Sequence, residues 1–197
     1  MREAENIHEV ETLGINLMGF IFWPKSSRYV SERPAYLPTN CKRVGVFVDE
    51  DPETIKKIAE DYVLDAIQFH GSESPDYIRA LRVDDGFAAV IKAFNIATAA
   101  DLEATKPYEG IVDYFLFDTK GKSVGGNGEK FDWCVLDDYI GKTPFLLSGG
   151  IGPDDAERVK TFNHPKCIGI DLNSRFETAP AIKDAAVLSR FLSQLPH

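Results

Sequence analysis

Residues 43–71 read RVGVFVDEDPETIKKIAEDYVLDAIQFHG, and this stretch contains the unit from which the fold class can be inferred. Two apolar runs, 43–49 and 66–71, flank a more polar segment with a proline near its start, Pro52. Apolar runs of this length are typical of parallel strands buried on both faces, and proline is common at the first position of a helix. The stretch therefore predicts a strand, a helix over Pro52–Tyr62 and a second, parallel strand.

The same alternation continues along the rest of the chain. Similar apolar runs predict further strands at 16–23, 88–94, 114–120, 145–150 and 167–174. Segments typical of helices accompany these strands at Pro75–Val83, Thr98–Lys106, Phe131–Ile140, Pro153–Thr161 and Ile182–Leu195. The opening residues predict one more helix, because apolar side chains recur at a spacing of three and a glycine is placed to end it: Ile7, Val10, Leu13 and Gly14.

Strands that alternate with helices predict a parallel sheet, either open and doubly wound or closed as a barrel. No Gly-x-Gly-x-x-Gly pattern follows a predicted strand, which argues against a dinucleotide-binding sheet. Seven strands behind a leading helix are one strand fewer than a (β/α)8 barrel contains, and the absent strand is the first. We therefore expect a single α/β domain over residues 1–197, a (β/α)8 TIM barrel whose first strand is missing from this chain.

The composition limits the partners of the protein. Its formal net charge of -9 argues against nucleic acid and anionic membranes as main partners, because both attract basic surfaces. No apolar run approaches the ~20 residues of a membrane span, and no secretion signal opens the chain. The three cysteines have no metal-like spacing, so we expect reduced thiols, no metal site and a cytoplasmic location: Cys41, Cys134 and Cys167.

Polar residues at the ends of the predicted strands are the candidates for chemistry, because the active site of a parallel barrel lies at the C-terminal ends of its strands. Asp118 ends an apolar run. A carboxyl group among apolar neighbours can have a raised pKa and act as a general acid. The structural alternative is an ion pair of Asp118 with Lys92 or Lys120.

Other strand ends carry binding groups of different kinds. Gly149 and Gly150 allow a phosphate to approach the backbone before a helix, although the pair also suits a plain turn. Arg28 has the donors to grip a carboxylate, or it is a solvated loop residue. His70 is a candidate for substrate binding or proton transfer, or a structural histidine. The glycine-rich stretch 121–133 is predicted to be a mobile cover of the site, or a plain loop.

Several segments together resemble the phosphoribosylanthranilate isomerase family of tryptophan biosynthesis. They run in family order from residue 19 to 178: GFIFWPKSSRYV, KRVGVFVDE, DAIQFHG, VIKAF, FDTKGKSVGGNGEKFDW, LLSGGIGPDDAERV and GIDLNSRFET. The Pro-Lys-Ser-x-Arg-Tyr, Gln-x-His-Gly and Gly-Gly-x-Gly-x-x-Phe-Asp-Trp patterns within them are not general features of barrels. The resemblance implies a (β/α)8 barrel that acts on a small phosphorylated substrate.

The implied reaction is an Amadori rearrangement of N-(5-phosphoribosyl)anthranilate to 1-(2-carboxyphenylamino)-1-deoxyribulose 5-phosphate, with no metal or organic cofactor. In terms of the resemblance, Asp118 is the general acid that protonates the ring oxygen, and Arg28 holds the anthranilate carboxylate. The other expected substrate-binding residues lie at three strand ends and include those that border the phosphate: His70, Gly149, Gly150, Asp171, Asn173 and Ser174.

The chain departs from the family pattern in two places. Arg175 stands where the family has a glycine, which either adds a cation beside the phosphate or restricts the backbone. The family's first strand ends in Cys-Gly, and that cysteine is the general base for the C2 proton. Residues 1–10 resemble the part of the family sequence that begins with the residue directly after this Cys-Gly. We therefore expect a shortened chain that is impaired in catalysis because the base is absent.

Three hypotheses of function remain open on these observations. The first is the isomerase in shortened form. The second is a non-catalytic barrel that binds phosphorylated ligands, which the missing cysteine favours. The third is another phosphosugar barrel enzyme, against which the PKSSRY and GGNGEKFDW segments argue. In each case the partner is a small phosphorylated molecule, and we expect a monomer or a weak dimer.

Overall fold

One parallel sheet organises the computed structural model, which describes residues 1–85, 89–119 and 132–196. Within these residues seven strands pair in chain order, each parallel to the next, and the sheet is curled. The strands are β1 (Leu17–Ile21), β2 (Lys42–Phe47), β3 (Ala66–Phe69), β4 (Val90–Ile96), β5 (Tyr114–Thr119), β6 (Phe145–Ser148) and β7 (Cys167–Ile170). The expected α/β class and the predicted strands are confirmed.

Helices connect the strands, and a small hairpin follows the last one. The α-helices are α1 (Ala4–Glu11), α2 (Pro52–Tyr62), α3 (Pro75–Asp85), α4 (Ala156–Thr161) and α5 (Ala185–Leu192). Tighter 3-10 turns span Ala99–Tyr108, Trp133–Asp138, Pro153–Asp155 and Ser174–Phe176. The hairpin pairs β8 (Glu177–Ala179) with β9 (Ile182–Lys183) in antiparallel fashion. No helix among the described residues has the length and apolar character needed to cross a bilayer.

Several elements differ from the sequence-based prediction at their ends. The last predicted strand stops at Ile170, because the 3-10 turn Ser174–Phe176 takes the chain out of the sheet. The last predicted helix begins at Ala185 and not at Ile182, because β9 comes first and the Asp184 carboxylate caps the helix by accepting from the Val187 N–H at 2.9 Å. The two segments predicted as helices on either side of β5 are of the 3-10 type.

The two faces of the sheet are packed differently. On the face covered by helices, the core is built from fully buried phenylalanines on five strands: Phe20, Phe47, Phe69, Phe115, Phe117 and Phe145. Side chains such as Ile55 of α2 and Ile78 of α3 are completely buried against this layer. The other face holds a separate cluster of smaller residues: Val44, Ala66, Ile91, Ala93 and Leu116. This alternation fixes which residues point to each side at the strand ends.

The edges of the sheet are β1 and β7. Among the described residues no strand pairs with the outer side of either, although an isolated bridge joins Ile21 of β1 to Tyr29. The Gly19 carbonyl on β1 accepts a hydrogen bond from the Met1 amino group at 2.9 Å. Each edge strand also exposes a large apolar side chain, Leu17 at 38% and Ile168 at 54%. Such edges are able to accept further strand pairing.

Candidate active site

The carboxyl ends of β5, β6 and β7 bring a polar cluster together. Asp118 of β5 is in register with Ser148 of β6, and only 8% of Asp118 is exposed. The Ser148 hydroxyl donates to Asp171 Oδ2 at 2.8 Å, which connects β6 to the residue that follows β7. The Thr119 hydroxyl donates to the Ser148 carbonyl at 2.8 Å. Asp118 therefore lies in a fixed, largely buried position beside other polar side chains.

Lys92 was one of the two lysines considered as an ion-pair partner of Asp118, and the structure pairs it with a different acid. Lys92 instead forms an ion pair with Glu73 at 3.3 Å, and the two side chains are 3% and 2% exposed. Its ammonium group also donates to the Gly71 carbonyl at 2.8 Å. Lys120, the other partner considered, lies outside the described residues, as does most of the stretch predicted to be a cover, 121–133.

Gly149 and Gly150 form the turn that leaves β6, with φ values of 92° and 69°. A side chain is excluded at Gly149 for a second reason, because a Cβ there would lie 2.5 Å from the Thr119 nitrogen and 2.7 Å from Asp118 Oδ1. The chain then turns into a helix, where Asp155 Oδ2 accepts from the Gly152 N–H at 2.8 Å. The backbone of this turn thus passes directly against Asp118, at a place where an anion can approach.

We predict that alanine substitutions at the two glycines differ in cost. Gly150→Ala has open space for its Cβ, so only the left-handed conformation, about 1–2 kcal/mol, should reduce the free energy of unfolding. Gly149→Ala carries the same conformational cost and also overpacks the Thr119 backbone, which adds about 1–3 kcal/mol. Urea denaturation of both variants measures the difference. Equal losses would contradict the close approach of this turn to β5.

The segment after β7 places Asp171, Asn173 and Ser174 at the same edge. The Asp171 N–H donates to the Leu147 carbonyl at 2.8 Å, which continues the pairing of β7 with β6. Asn173 and Ser174 are exposed at the start of the 3-10 turn, where a ligand can reach them. The segment therefore leaves β7 at the edge where the Gly149–Gly150 turn leaves the neighbouring strand β6, and its part in a phosphate site stays a prediction.

Arg175, which the resemblance places where the family has a glycine, fits its position without backbone strain. The described non-glycine residues with positive φ are Asp49, Val63 and Ala181, so Arg175 has an ordinary conformation. Its side chain crosses the loop after β6, since its Cδ is 3.0 Å from where a Cβ on Gly152 would be. Of the two effects considered for this substitution, the structure favours an added cation over a restricted backbone.

Arg28 is held by an acid that the sequence prediction did not include. Arg28 Nε lies 2.9 Å from Glu177 Oε1, and Nη2 lies 2.6 Å from Glu177 Oε2. Lys183 Nζ is 3.3 Å from Glu177 Oε1 and also donates to Asn173 Oδ1 at 2.9 Å. Burial opposes ionisation of Glu177, but its contacts with Arg28 and Lys183 outweigh burial and lower its pKa. Arg28 is therefore a fixed residue, not a solvated loop arginine.

Glu177 and Lys183 had a signal in the sequence. Glu177 is the acid at the end of GIDLNSRFET, the segment that contains three of the predicted site residues, and Lys183 stands in the Lys-Asp pair that continues the resemblance. His70 lies at the carboxyl end of β3, where its Nδ1 is 3.0 Å from Gln68 Nε2. The structure thus gives His70 a neighbour on its own strand and leaves its predicted role in substrate binding untested.

None of the three cysteines has the position or the ionisation expected of a general base. Cys41 precedes β2, Cys167 is the first residue of β7, and Cys134 lies in the 3-10 turn Trp133–Asp138, so none of them is at the carboxyl end of a strand. Burial raises the pKa of Cys41 to about 11 and also raises that of Cys167. A hydrogen bond with Asp132 raises the pKa of Cys134. A thiol with a raised pKa forms less of the thiolate that accepts a proton.

Comparisons with known proteins point to one family. A family model described as N-(5'phosphoribosyl)anthranilate (PRA) isomerase matches residues 1–194. An N-(5'-phosphoribosyl)anthranilate isomerase of Phocaeicola vulgatus is 51% identical over 195 residues, which cover 99% of this chain and 94% of the relative.

Two solved structures extend the comparison to the fold. Phosphoribosyl anthranilate isomerase from Thermotoga maritima is 30% identical with a TM-score of 0.81, and the match covers 98% of this chain and 94% of the other. A second isomerase structure, in complex with reduced 1-(o-carboxyphenylamino)-1-deoxyribulose 5-phosphate, is 28% identical with a TM-score of 0.77 and covers 98% and 97%. The curled sheet therefore matches barrel-like isomerases, and the chain belongs to the N-(5'-phosphoribosyl)anthranilate isomerase family.

Proposed function

We propose that this chain binds N-(5-phosphoribosyl)anthranilate at the carboxyl edge of its sheet and acts on it as an Amadori-type isomerase of tryptophan biosynthesis. One observation carries the proposal beyond family membership. The Gly149 turn, proposed to border the phosphate, passes so close to Asp118 that a Cβ on Gly149 would be 2.7 Å from Asp118 Oδ1. A sugar held by its phosphate at this turn has its ring near a carboxyl group.

The proposed chemistry begins with Asp118 as general acid. Its carboxyl gives a proton to the ring oxygen of the ribose, the bond from C1 to that oxygen breaks, and the anilino nitrogen forms a double bond to C1. A base then removes the proton from C2 to give an enolamine, which tautomerises to the amino ketone. Atoms and electrons balance without a metal or a redox cofactor, so none is proposed.

The substrate has a carboxylate at its anthranilate end and a phosphate at its sugar end, and we assign binding residues to each. Arg28 is 25% exposed, and we assign its guanidinium to the anthranilate carboxylate. Gly149, Gly150, Asn173 and Ser174 are assigned to the phosphate, and Asp171 and His70 to the substrate between these ends. A small ligand bound at these positions spans the carboxyl ends of several strands, which is the usual arrangement in barrel enzymes.

The finer description of the fold is also a proposal. We propose that residues 1–197 form a single domain, a (β/α)8 barrel without its first strand. A strand placed between β1 and β7 would complete the eight strands. The outer sides of these two strands, with which no strand among the described residues pairs, and the exposed Leu17 and Ile168 support this proposal. We further propose that the protein is cytoplasmic and that it is a monomer or a weak dimer. Size-exclusion chromatography over a range of concentrations tests the oligomeric state directly.

The function is tested by incubating the chain with phosphoribosylanthranilate and following the loss of substrate fluorescence. Chromatography against an authentic standard then identifies the product. Appearance of the carboxyphenylamino-deoxyribulose phosphate above the rate in buffer supports the proposal. Saturable binding without any product would favour the second candidate, a barrel that only binds phosphorylated ligands, which the positions of the three cysteines suggest. Absence of both would contradict both candidates.

A further inference from the structure

We propose that Glu177 is a positioning residue, which holds one edge of the Arg28 guanidinium so that its other edge faces the anthranilate carboxylate. The inference rests on the proposed function and deepens it, because it assigns the part of the molecule that recognises the carboxylate of the substrate. Glu177 touches Arg28 and is not proposed to touch the reacting atoms of the substrate.

The geometry of the pair divides the guanidinium into two edges. Glu177 receives hydrogen bonds from Nε at 2.9 Å and from Nη2 at 2.6 Å, which occupies the side edge of the group. The end edge consists of Nη1 and the second hydrogen of Nη2, and Nη1 has no hydrogen bond to the residues that the structure describes. A guanidinium can bind a carboxylate through either edge with two parallel hydrogen bonds. A second carboxylate can therefore bind Arg28 without displacing Glu177.

Glu177 can hold Arg28 because it is itself fixed. Its side chain is only 4% exposed, and Oε1 also lies 3.3 Å from the Ala181 nitrogen and 3.3 Å from Lys183 Nζ. The β8–β9 hairpin, which carries Glu177 and Lys183, is held to α1 by two hydrogen bonds. The Asn6 side chain donates to the Lys183 carbonyl and accepts from the Lys183 N–H, both at 2.8 Å.

The charges explain why the position needs an acid. Arg28 is partly buried and Lys183 is largely buried, and Glu177 is the carboxylate between them. Without it, two cations would repel each other and the arginine would lose the contacts that select one rotamer. Lys183 also contacts Asn173, which belongs to the proposed phosphate site, at 2.9 Å. Glu177 therefore connects the carboxylate end of the site to its phosphate end.

The test uses Glu177→Gln and two ligands. One ligand is reduced 1-(o-carboxyphenylamino)-1-deoxyribulose 5-phosphate, and the other is the phenylamino compound that lacks the carboxyl group. The glutamine keeps one acceptor oxygen but places an NH2 group, which cannot accept, where the second carboxylate oxygen binds Arg28, so Arg28 should lose the two-point contact that fixes it. Calorimetric titration should show that the substitution weakens the carboxylated ligand about 10- to 100-fold, the range expected when a clamping group is misplaced. Affinity for the ligand without a carboxyl group should fall much less, because Glu177 reaches the phosphate end of the site only indirectly, through Lys183 and Asn173.

Control variants separate positioning from stability. Glu109→Gln alters another partly buried acid, which accepts from the Tyr139 and Thr143 hydroxyls before the amino ends of β5 and β6, and it should change neither affinity. In an Arg28→Ala background, Glu177→Gln should have no further effect on the carboxylated ligand. If Glu177→Gln does not fold, Glu177→Asp keeps the charge but retracts it, and it should show the same selective loss in smaller degree.

Three results would overturn the proposal. Equal weakening of both ligands would show a structural role only, and unchanged affinity would show that Arg28 needs no partner. Tighter binding of the carboxylated ligand would show that Glu177 competes with the substrate. Failure of the unaltered chain to bind either ligand would instead overturn the proposed function together with this inference, so the two failures are distinguishable.

Discussion

Replacing Asp118 by asparagine is expected to slow conversion of phosphoribosylanthranilate about 10²–10⁴-fold while the affinity for the reduced product is retained. The amide has the shape of the carboxyl group but cannot donate a proton as an acid. Asp118 is 8% exposed and lies beside the Gly149 turn, so the substitution removes the acid without opening a cavity. Single-turnover experiments with the protein in excess over substrate measure slow rates of this kind.

The matched control for Asp118→Asn lies just before the other end of β5. Asp113 Oδ2 accepts from the Val90 N–H at 2.7 Å and lies 3.2 Å from Arg82 Nη1. Asp113→Asn should therefore lower the free energy of unfolding and leave the single-turnover rate unchanged. If the two variants had equal rates, Asp118 would not be the acid.

The second large effect concerns the general base. The 197-residue chain should convert the substrate about 10²–10⁴-fold more slowly than the Phocaeicola vulgatus relative, because the resemblance assigns the base to a cysteine at a strand end. The three cysteines of this chain have raised pKa values and lie elsewhere. Ring opening by Asp118 does not require that cysteine, so substrate binding should persist. Parallel rate measurements on the two proteins provide the comparison.

A pair of extended chains separates the base from the fold. One places a strand ending in Cys-Gly before Met1, and the other places the same strand ending in Ser-Gly. Both strands are proposed to pair with β1 and β7, but only the first brings a thiol. The Cys-Gly chain should gain most of the missing rate and the Ser-Gly chain little of it. Equal rates for the two extensions, or an unextended chain as fast as the relative, would show that another residue is the base.

The sequence predicted the parallel sheet well because its signal is local. The stretch 43–71 contains a strand, a helix and a strand in uninterrupted order, and the structure has β2, α2 and β3 there. The ends of elements were less accurate. The last helix was predicted from Ile182, whereas β9 occupies Ile182–Lys183 because those residues pair with β8, a contact that apolar pattern alone does not reveal.

The candidate site was predictable to the extent that strand order determines it. Asp118 lies near the carboxyl end of β5, and Gly149 and Asp171 directly follow β6 and β7, so a parallel sheet brings the three to one edge. The partner of Arg28 was not predicted, because Glu177 is 149 residues away in sequence and becomes a neighbour only through the hairpin after β7. The same holds for Lys92, whose partner Glu73 comes from the loop after another strand.

Calorimetric titration of the unaltered chain with reduced 1-(o-carboxyphenylamino)-1-deoxyribulose 5-phosphate tests the central claim most directly, because binding does not depend on which residue is the base. The claim is that the carboxyl edge around Arg28, Asp118 and Gly149 is a site for this phosphorylated ligand. We predict one saturable site per chain, with affinity strongly reduced by Arg28→Ala. Absence of binding, or binding that Arg28→Ala does not weaken, would contradict it.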